Sequence, residues 1–333
     1  MAAMIDFSKE ICKKYSAELH DKERGEQFSK AILQNTSKQD ACGFIRGAEF
    51  SILWCSDSHG GQTDKKKFFI RDFFNELSDE EWFEYLSQEN FYLDTRDEDG
   101  QYISQLFKDI DQTKFIDTGA TLSIVKIFED RFECYRVGDS PIFVWRDTEN
   151  ILYSDHGDEK NEDIKCLEKR KYFKNKKCKN DNGVIDSRDI YTLSPDKITT
   201  IPSYYIMWDC PCHLNMSRSI GHNSTDGFIT RQYMANDESI EVSLPKWEMT
   251  KHVIQRISGT KEKIVVSTDG ISNVTGKFDF PLMYQMSHAE DIIHFAYKRW
   301  KQTWTYTFPG VEESKQRLPD WNRDDMAVVS WNN

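Results

Sequence analysis

Five aspartates occupy positions where strands end or begin. "SILWCSD" runs six residues of strand character into Asp57, and "KIVVSTD" does the same into Asp269. "DDMAVVSW" is the reverse, with Asp324 and Asp325 ahead of the apolar run, and Asp139 sits in the turn "VGDSP" between "FECYR" and "PIFVW". If the last strand runs antiparallel to the first two, these acids gather at one edge of a sheet. Clustered carboxylates repel one another and are protonated or destabilising unless a cation joins them. Oxygen donors without an obvious Cys or His ligand set favour Mg²⁺ or Mn²⁺ over zinc. A pair of such ions clamps a phosphoryl group and supplies a bridging hydroxide as nucleophile.

Other chemistries are weaker in this sequence. "CHLNMSR" places Cys212 and Arg218 at C-x5-R spacing, yet a thiolate loop of that kind wants glycines, and this one has none within it. "CPCH" (210–213) lacks the second ligand pair of a closed zinc site. "SDHGD" (154–158) has Ser, Asp and His as near neighbours, which seldom make a working triad.

The acid-bearing segments resemble, in order, the motifs of the type 2C metal-dependent Ser/Thr protein phosphatases. "SKQDA" (37–41) is similar to that family's Glu/Gln-Asp segment, "SDSHGG" (56–61) to DGHGG, and "TGATLSIVKI" (118–127) to SGAT and its strand. "VGDS" (137–140) is identical to the family form, and "LNMSRSIGH" (214–222) is close to SRxxGD. "VVSTDGISNV" (265–274) resembles SDGxxDV, and "NRDDMAVV" (322–329) resembles the final RDN-type strand. The resemblance implies an α+β fold: a four-layer α-β-β-α sandwich of two antiparallel sheets flanked by helices. It implies two Mg²⁺ or Mn²⁺ ions per subunit, held by Asp57, Asp269, Asp324 and the carbonyl of Ser58. Asp139 would serve a weaker third ion and Asp40 would hold a metal-bound water. His59 resembles the family's proton donor to the leaving alkoxide. The implied activity is dephosphorylation of Ser/Thr phosphoproteins.

The departures fall elsewhere. Asn35 occupies the position where the family carries a phosphate-orienting arginine, with Lys38 and Arg46 as nearby cations. Ser58 replaces a glycine, Gln39 a commoner Glu, His222 an Asp, and Asn273 the second acid of SDGxxD. The three principal metal carboxylates are spared. These departures leave a second expectation open, a weak or inactive pseudophosphatase that binds phosphoproteins or other partners.

The elements that position these residues follow from pattern. Ile5–Gln34 has spaced apolar positions and no proline, which predicts a helix. "ACGFIRGAEFSILWCSD" predicts two strands around a Gly-containing turn, and Lys65–Phe107 a helical region. "ATLSIVKIF", "RFECYRV" and "PIFVWR" predict strands, and "HAEDIIHFAYKRWKQ" an amphipathic helix. The stretch 154–200 is dense in charge and predicts an exposed helix leading into a loop, an insertion within a single domain spanning 1–333. Its basic cluster "KRKYFKNKK" fits a solvated loop.

The chain of 333 residues carries 44 basic and 56 acidic side chains, a formal charge of −12 that disfavours nucleic acid and anionic membranes as partners. Aromatics at 13% exclude a disordered chain. No apolar run approaches the ~20 residues that span a bilayer, the opening "MAAMIDFSKEICKKY" lacks the apolar core of a secretory signal, and the eight cysteines form no CxxC pair. These features predict a reduced protein of the cytoplasm or nucleus.

Overall fold

The computed structural model describes residues 13–22, 24–35, 38–60, 70–93, 104–111, 118–154, 185–193, 198–207, 213–214, 220–221, 249–307, 314–317 and 323–333. Its strands are β1 (Lys13–Asp21), β2 (Glu26–Gln34), β3 (Asp40–Ile45), β4 (Ser51–Gly60), β5 (Thr118–Ala120), β6 (Leu122–Ile127), β7 (Arg131–Val137), β8 (Ile142–Arg146), β9 (Glu149–Ser154), β10 (Ile185–Leu193), β11 (Ile198–Met207), β12 (His213–Leu214), β13 (Ile220–Gly221), β14 (Thr250–Gln255), β15 (Glu262–Ser267), β16 (Thr303–Thr307), β17 (Ser314–Arg317) and β18 (Met326–Asn332). One sheet runs β1-β2-β18-β15-β8-β9, and a second runs β13-β5-β4-β6-β7-β14 with β3 paired to β4.

Side-chain alternation along the central strands creates the layers. On β4, Leu53 and Cys55 face the partner sheet while Ile52 and Trp54 face outward, under the helices Ile70–Glu76, Asp79–Ser87 and Gln105–Asp111. On β18, Ala327, Val329 and Trp331 face the partner sheet, and Met326 and Val328 pack with Ile292, Ile293 and Ala296 of the helix Ala289–Lys301. The result is helix, sheet, sheet, helix, the expected α+β four-layer sandwich. Its central strands are buried on both faces, as their largely apolar sequences require.

The predicted helix over Ile5–Gln34 is not formed within the described residues: 13–34 make the antiparallel hairpin β1–β2, turning through Gly25 at φ +68°. Because β2 is covered on both sides, Phe28 and Ile32 pack inward while Ala31 and Leu33 pack outward. Apolar residues at 28, 31 and 32 therefore imitate the i, i+3, i+4 spacing of a helix. Residues 5–12 lie outside the described ones. The helical reading of 65–107 holds for the three helices named; 65–69 and 94–103 are outside the described residues. Within the charged stretch, 185–193 and 198–207 form the hairpin β10–β11 rather than helix and loop. They join a third sheet, β12-β11-β10-β16-β17, which the sequence did not announce.

The acids do not line one edge of one sheet. Asp40 and Asp57 belong to the second sheet, whereas β15 and β18, which carry Asp269 and Asp324 at their ends, pair antiparallel in the first. The two groups meet across the sandwich.

Candidate metal centre

Asp57 continues the inward-facing series Leu53, Cys55 along β4, and Asp40 stands directly opposite it on β3. Several hydroxyls lock this end of the sheet. The Asp57 amide donates to Thr121 Oγ1 at 2.9 Å, and the Thr121 amide donates back to the Asp57 carbonyl at 2.8 Å. Ser56 Oγ donates to the Thr121 carbonyl at 2.8 Å, while Thr121 Oγ1 and Ser140 Oγ share a bond of 2.5 Å. The Asp139 turn is thereby tied to Asp57. It bends through Gly138 at φ +86°, where a Cβ would lie 2.6 Å from the Thr121 methyl, so only glycine fits. Buried Arg136 donates to the Gly138 carbonyl and, at 3.0 Å, to Ser154 Oγ.

The opposing sheet delivers Asp269 as the first residue of the short helix Asp269–Ser272. Asn273 Nδ2 donates to Asp269 Oδ2 at 2.9 Å, so this residue holds a carboxylate of the centre rather than adding one. A Cβ on Gly270 would sit 1.9 Å from the Asp325 carbonyl, and that close approach brings Asp269 beside the start of β18. Thr268 Oγ1 donates to Asp40 Oδ2 at 2.5 Å and accepts from the Ala327 amide at 2.9 Å, bridging the two sheets.

Asp325, the neighbour of Asp324, has a different task. Its carboxylate accepts the backbone amides of Asn35 and, at 2.8 Å, Gln39, stapling the segment that leads into Asp40. Asn35 Nδ2 donates to the Arg323 carbonyl at 2.6 Å, which leaves its amide occupied in structure rather than aimed at a ligand. The Gln39 carbonyl in turn accepts the Ser58 amide at 3.2 Å. Ser58 is fully buried, and His59, two residues beyond Asp57 on the same side of β4, is buried as well.

Burial and mutual repulsion raise four of these acids, Asp40, Asp57, Asp269 and Asp324. Burial, then the neighbouring charge of Asp325, lifts Asp40 well above the usual carboxylate range. Asp57 is lifted by burial and by Asp40, Asp269, Asp324 and Asp139 together. Asp269 is pushed up to about 7 by burial and Asp324. Asp324 is pushed up to about 7 by burial, Asp40 and Asp325. These four carboxylates thus feel one another, and Asp139 acts on Asp57 and Asp324.

Among the described residues no group of three or more His, Cys, Asp or Glu side chains stands ready-made around a cation position. The donor set nonetheless fits a hard divalent ion. It is all carboxylate oxygen, and Oδ1 of Asp269 is buried without a hydrogen bond among the described residues.

Of the nearby cations, Arg46 lies past the end of β3 that is remote from Asp40, about 20 Å along the sheet, and pairs with Asp21 at 2.5 Å. It cannot serve the centre. Lys38 is exposed, at φ 56°, two residues before Asp40. His222, Cys212 and Arg218 lie outside the described residues, as do all of "CPCH" but His213 and all of "SDHGD" but Ser154. The positioning roles of Thr121, Thr268, Asn35 and Asp325 carry no signal in a lone sequence. Only the doubled "DD" hints that two acids have separate tasks.

No family model and no curated protein matches the sequence. Among solved structures the chain is similar to a serine-threonine phosphatase 2C from Toxoplasma gondii at 10% identity, covering 96% of this chain and 99% of that one with a TM-score of 0.50. This chain has the type 2C phosphatase fold. The chain is also similar to a serine/threonine phosphatase of S. agalactiae (17% identity, 96% of this chain and 99% of that one, TM-score 0.45). A sex-determining protein of C. elegans is also similar (16% identity, 96% of this chain, TM-score 0.49), and the chain spans 64% of its length. At such identities the type 2C likeness establishes the fold. No helix among the described residues is long and apolar enough to cross a membrane.

Proposed function

We propose that the protein is a metal-dependent phosphomonoester hydrolase acting on Ser/Thr phosphoproteins. The observation that carries this reading is that Asp40, Asp57, Asp269 and Asp324, delivered from two sheets, raise one another's pKa, with Asp139 acting on Asp57 and Asp324. A module with no cation to bind has no physical reason to keep such a cluster.

In this reading Asp57, Asp269 and Asp324 hold Mg²⁺ or Mn²⁺, two ions per subunit, with the Ser58 carbonyl as a further ligand and Asp139 at a weaker third position. Such ions supply positive charge to the phosphoryl oxygens and acidify water into a nucleophile. The chain's own residues do the rest. Asp40, held by Thr268, accepts a proton or hydrogen bond from attacking water. His59 sits on the Asp57 side of β4, from which it would protonate the departing alkoxide. Lys38 is the exposed cation nearest in sequence to Asp40 and the remaining candidate for the phosphate.

One observation favours the second reading, a pseudophosphatase that binds partners. Asn35 and Asn273 both spend their side chains on the protein itself, which leaves phosphate orientation and an auxiliary acid unprovided. Hydrolysis of p-nitrophenyl phosphate and of a phosphothreonine peptide, with and without Mn²⁺, separates the two. Wild type is expected to turn over only with metal, and Asp57→Asn and Asp269→Asn to fall to background. Wild type as inactive as both variants across the metal series would establish the binding module.

A further inference from the structure

At the end of the sandwich remote from the carboxylates, two hollows adjoin. The larger, about 730 Å³ of water-accessible space, lies over Phe128 and Ile257; the smaller, about 290 Å³, lies over Phe50, Tyr135 and Lys126. They share Glu49 and Phe128, so they form one groove across the turns β3–β4, β6–β7 and β14–β15. Ser51 and Asp57 mark the two ends of β4, six residues apart, which separates groove and carboxylates by about 20 Å.

Three cations of this groove are engaged by acids or carbonyls, and the fourth, exposed Lys251, lies over the rings of Tyr92 and Tyr135. Arg131 pairs with Glu133 at 2.7 Å and Asp130 at 3.0 Å. Arg256 pairs with Glu262 at 3.0 Å. Lys126 donates to the Leu86 carbonyl at 2.7 Å, beneath the rings of Phe50 and Phe128. The rim is different: Glu49, Glu89 and Glu129 are exposed and form no ion pair with a described residue. Beside them Ile257 is 50% exposed and Val253 on β14 is 49% exposed. Unpaired acids around an exposed aliphatic floor suit a ligand that brings positive charge and an apolar side chain together.

We propose that this groove docks a basic segment of a partner protein, Lys- or Arg-rich with an aliphatic anchor. The anchor rests on Ile257 and Phe128 while its cations meet Glu49 and Glu129. Because the docked segment lies far from the carboxylates, the partner's remaining chain is free to reach them. Binding here needs neither metal nor turnover, so it stands or falls apart from the hydrolase reading.

The test is fluorescence anisotropy of a labelled twelve-residue peptide of alternating Lys-Arg pairs and leucines, titrated with the full chain in EDTA. A peptide with Glu in place of every Lys and Arg is the control. The basic peptide is expected to bind, more weakly as salt rises, and the acidic one not to bind. Glu49→Lys combined with Glu129→Lys should weaken binding at least tenfold, and Ile257→Ser severalfold, with unchanged thermal unfolding confirming that the surface variants fold. No binding by wild type, or binding that survives both variants, overturns the proposal. Loss on Asp57→Asn instead would place the peptide in the carboxylate cluster and likewise overturn it. If the full chain fails to bind but a variant with Lys169, Arg170 and Lys171 changed to Ser binds, the chain's own basic cluster fills the groove and the partner proposal fails.

Discussion

Asp40 and Asp57 stand directly opposite each other on neighbouring antiparallel strands, on the same face. Like charges in that register destabilise a sheet pair, and burial makes the repulsion worse. Asp40 accepts the Thr268 hydroxyl that bridges the sheets, but that bond gives no reason for a second acid opposite it, and the pair points to a cation. Replacing one should relieve the fold and abolish the function together. Asp57→Asn is expected to raise the melting temperature of the EDTA-treated protein and to remove the further stabilisation given by Mn²⁺. Calorimetric unfolding with and without metal reads both effects.

The pH dependence of the metal-free protein has a definite sign. Asp269 and Asp324 have folded-state values of about 7 against an ordinary value of 3.8. Between those limits the folded state binds more protons than the unfolded one, so stability falls as pH rises. Stability of the protein in EDTA should therefore decline from pH 5 to pH 8, through the ionisation of these acids near 7. Saturating Mn²⁺ should flatten or reverse that slope in urea titrations at each pH.

Gly270 is fixed by its neighbour rather than by its own conformation. An alanine methyl would collide with the Asp325 carbonyl at 1.9 Å, a backbone atom that cannot yield without moving β18. Gly270→Ala is expected to cost about 2 kcal/mol or more, in the range of overpacked cores, and to lower Mn²⁺ affinity by spreading Asp269 from Asp324. Urea unfolding and isothermal titration with Mn²⁺ check the two halves.

Asn273→Asp would exchange a donor to Asp269 for a like charge. In EDTA the variant should be less stable than wild type, by about 1–3 kcal/mol for a lost hydrogen bond to a charged group. Excess Mn²⁺ should recover more stability in the variant than in wild type, because a further carboxylate joins the site. Thermal shift across a metal titration gives the comparison.

Asn35→Ala removes the hydrogen bond that Asn35 Nδ2 donates to the Arg323 carbonyl but keeps the backbone amide that Asp325 holds. A loss of about 1 kcal/mol is expected, with kcat on p-nitrophenyl phosphate little changed. A large fall in kcat would show that Asn35 does contact the phosphate.

The strands that carry the centre were legible because both faces of each are buried. "SILWC", "KIVVS" and "MAVVSW" are mostly apolar on both faces, and a run of that kind bounded by Asp stands out. The same double burial hid β2, whose Phe28, Ala31 and Ile32 serve opposite layers yet fall at helical spacing. A one-dimensional pattern counts apolar positions and cannot tell which layer each one meets. For the same reason the sequence placed the acids at one end of their strands but not on two facing sheets. Division of labour within Asp324-Asp325, the engagement of Asn35 and the Thr268 bridge depend on which atoms come within 3 Å. Those contacts join residues up to about 290 positions apart in the chain, and only the packing of one sheet on the other creates them.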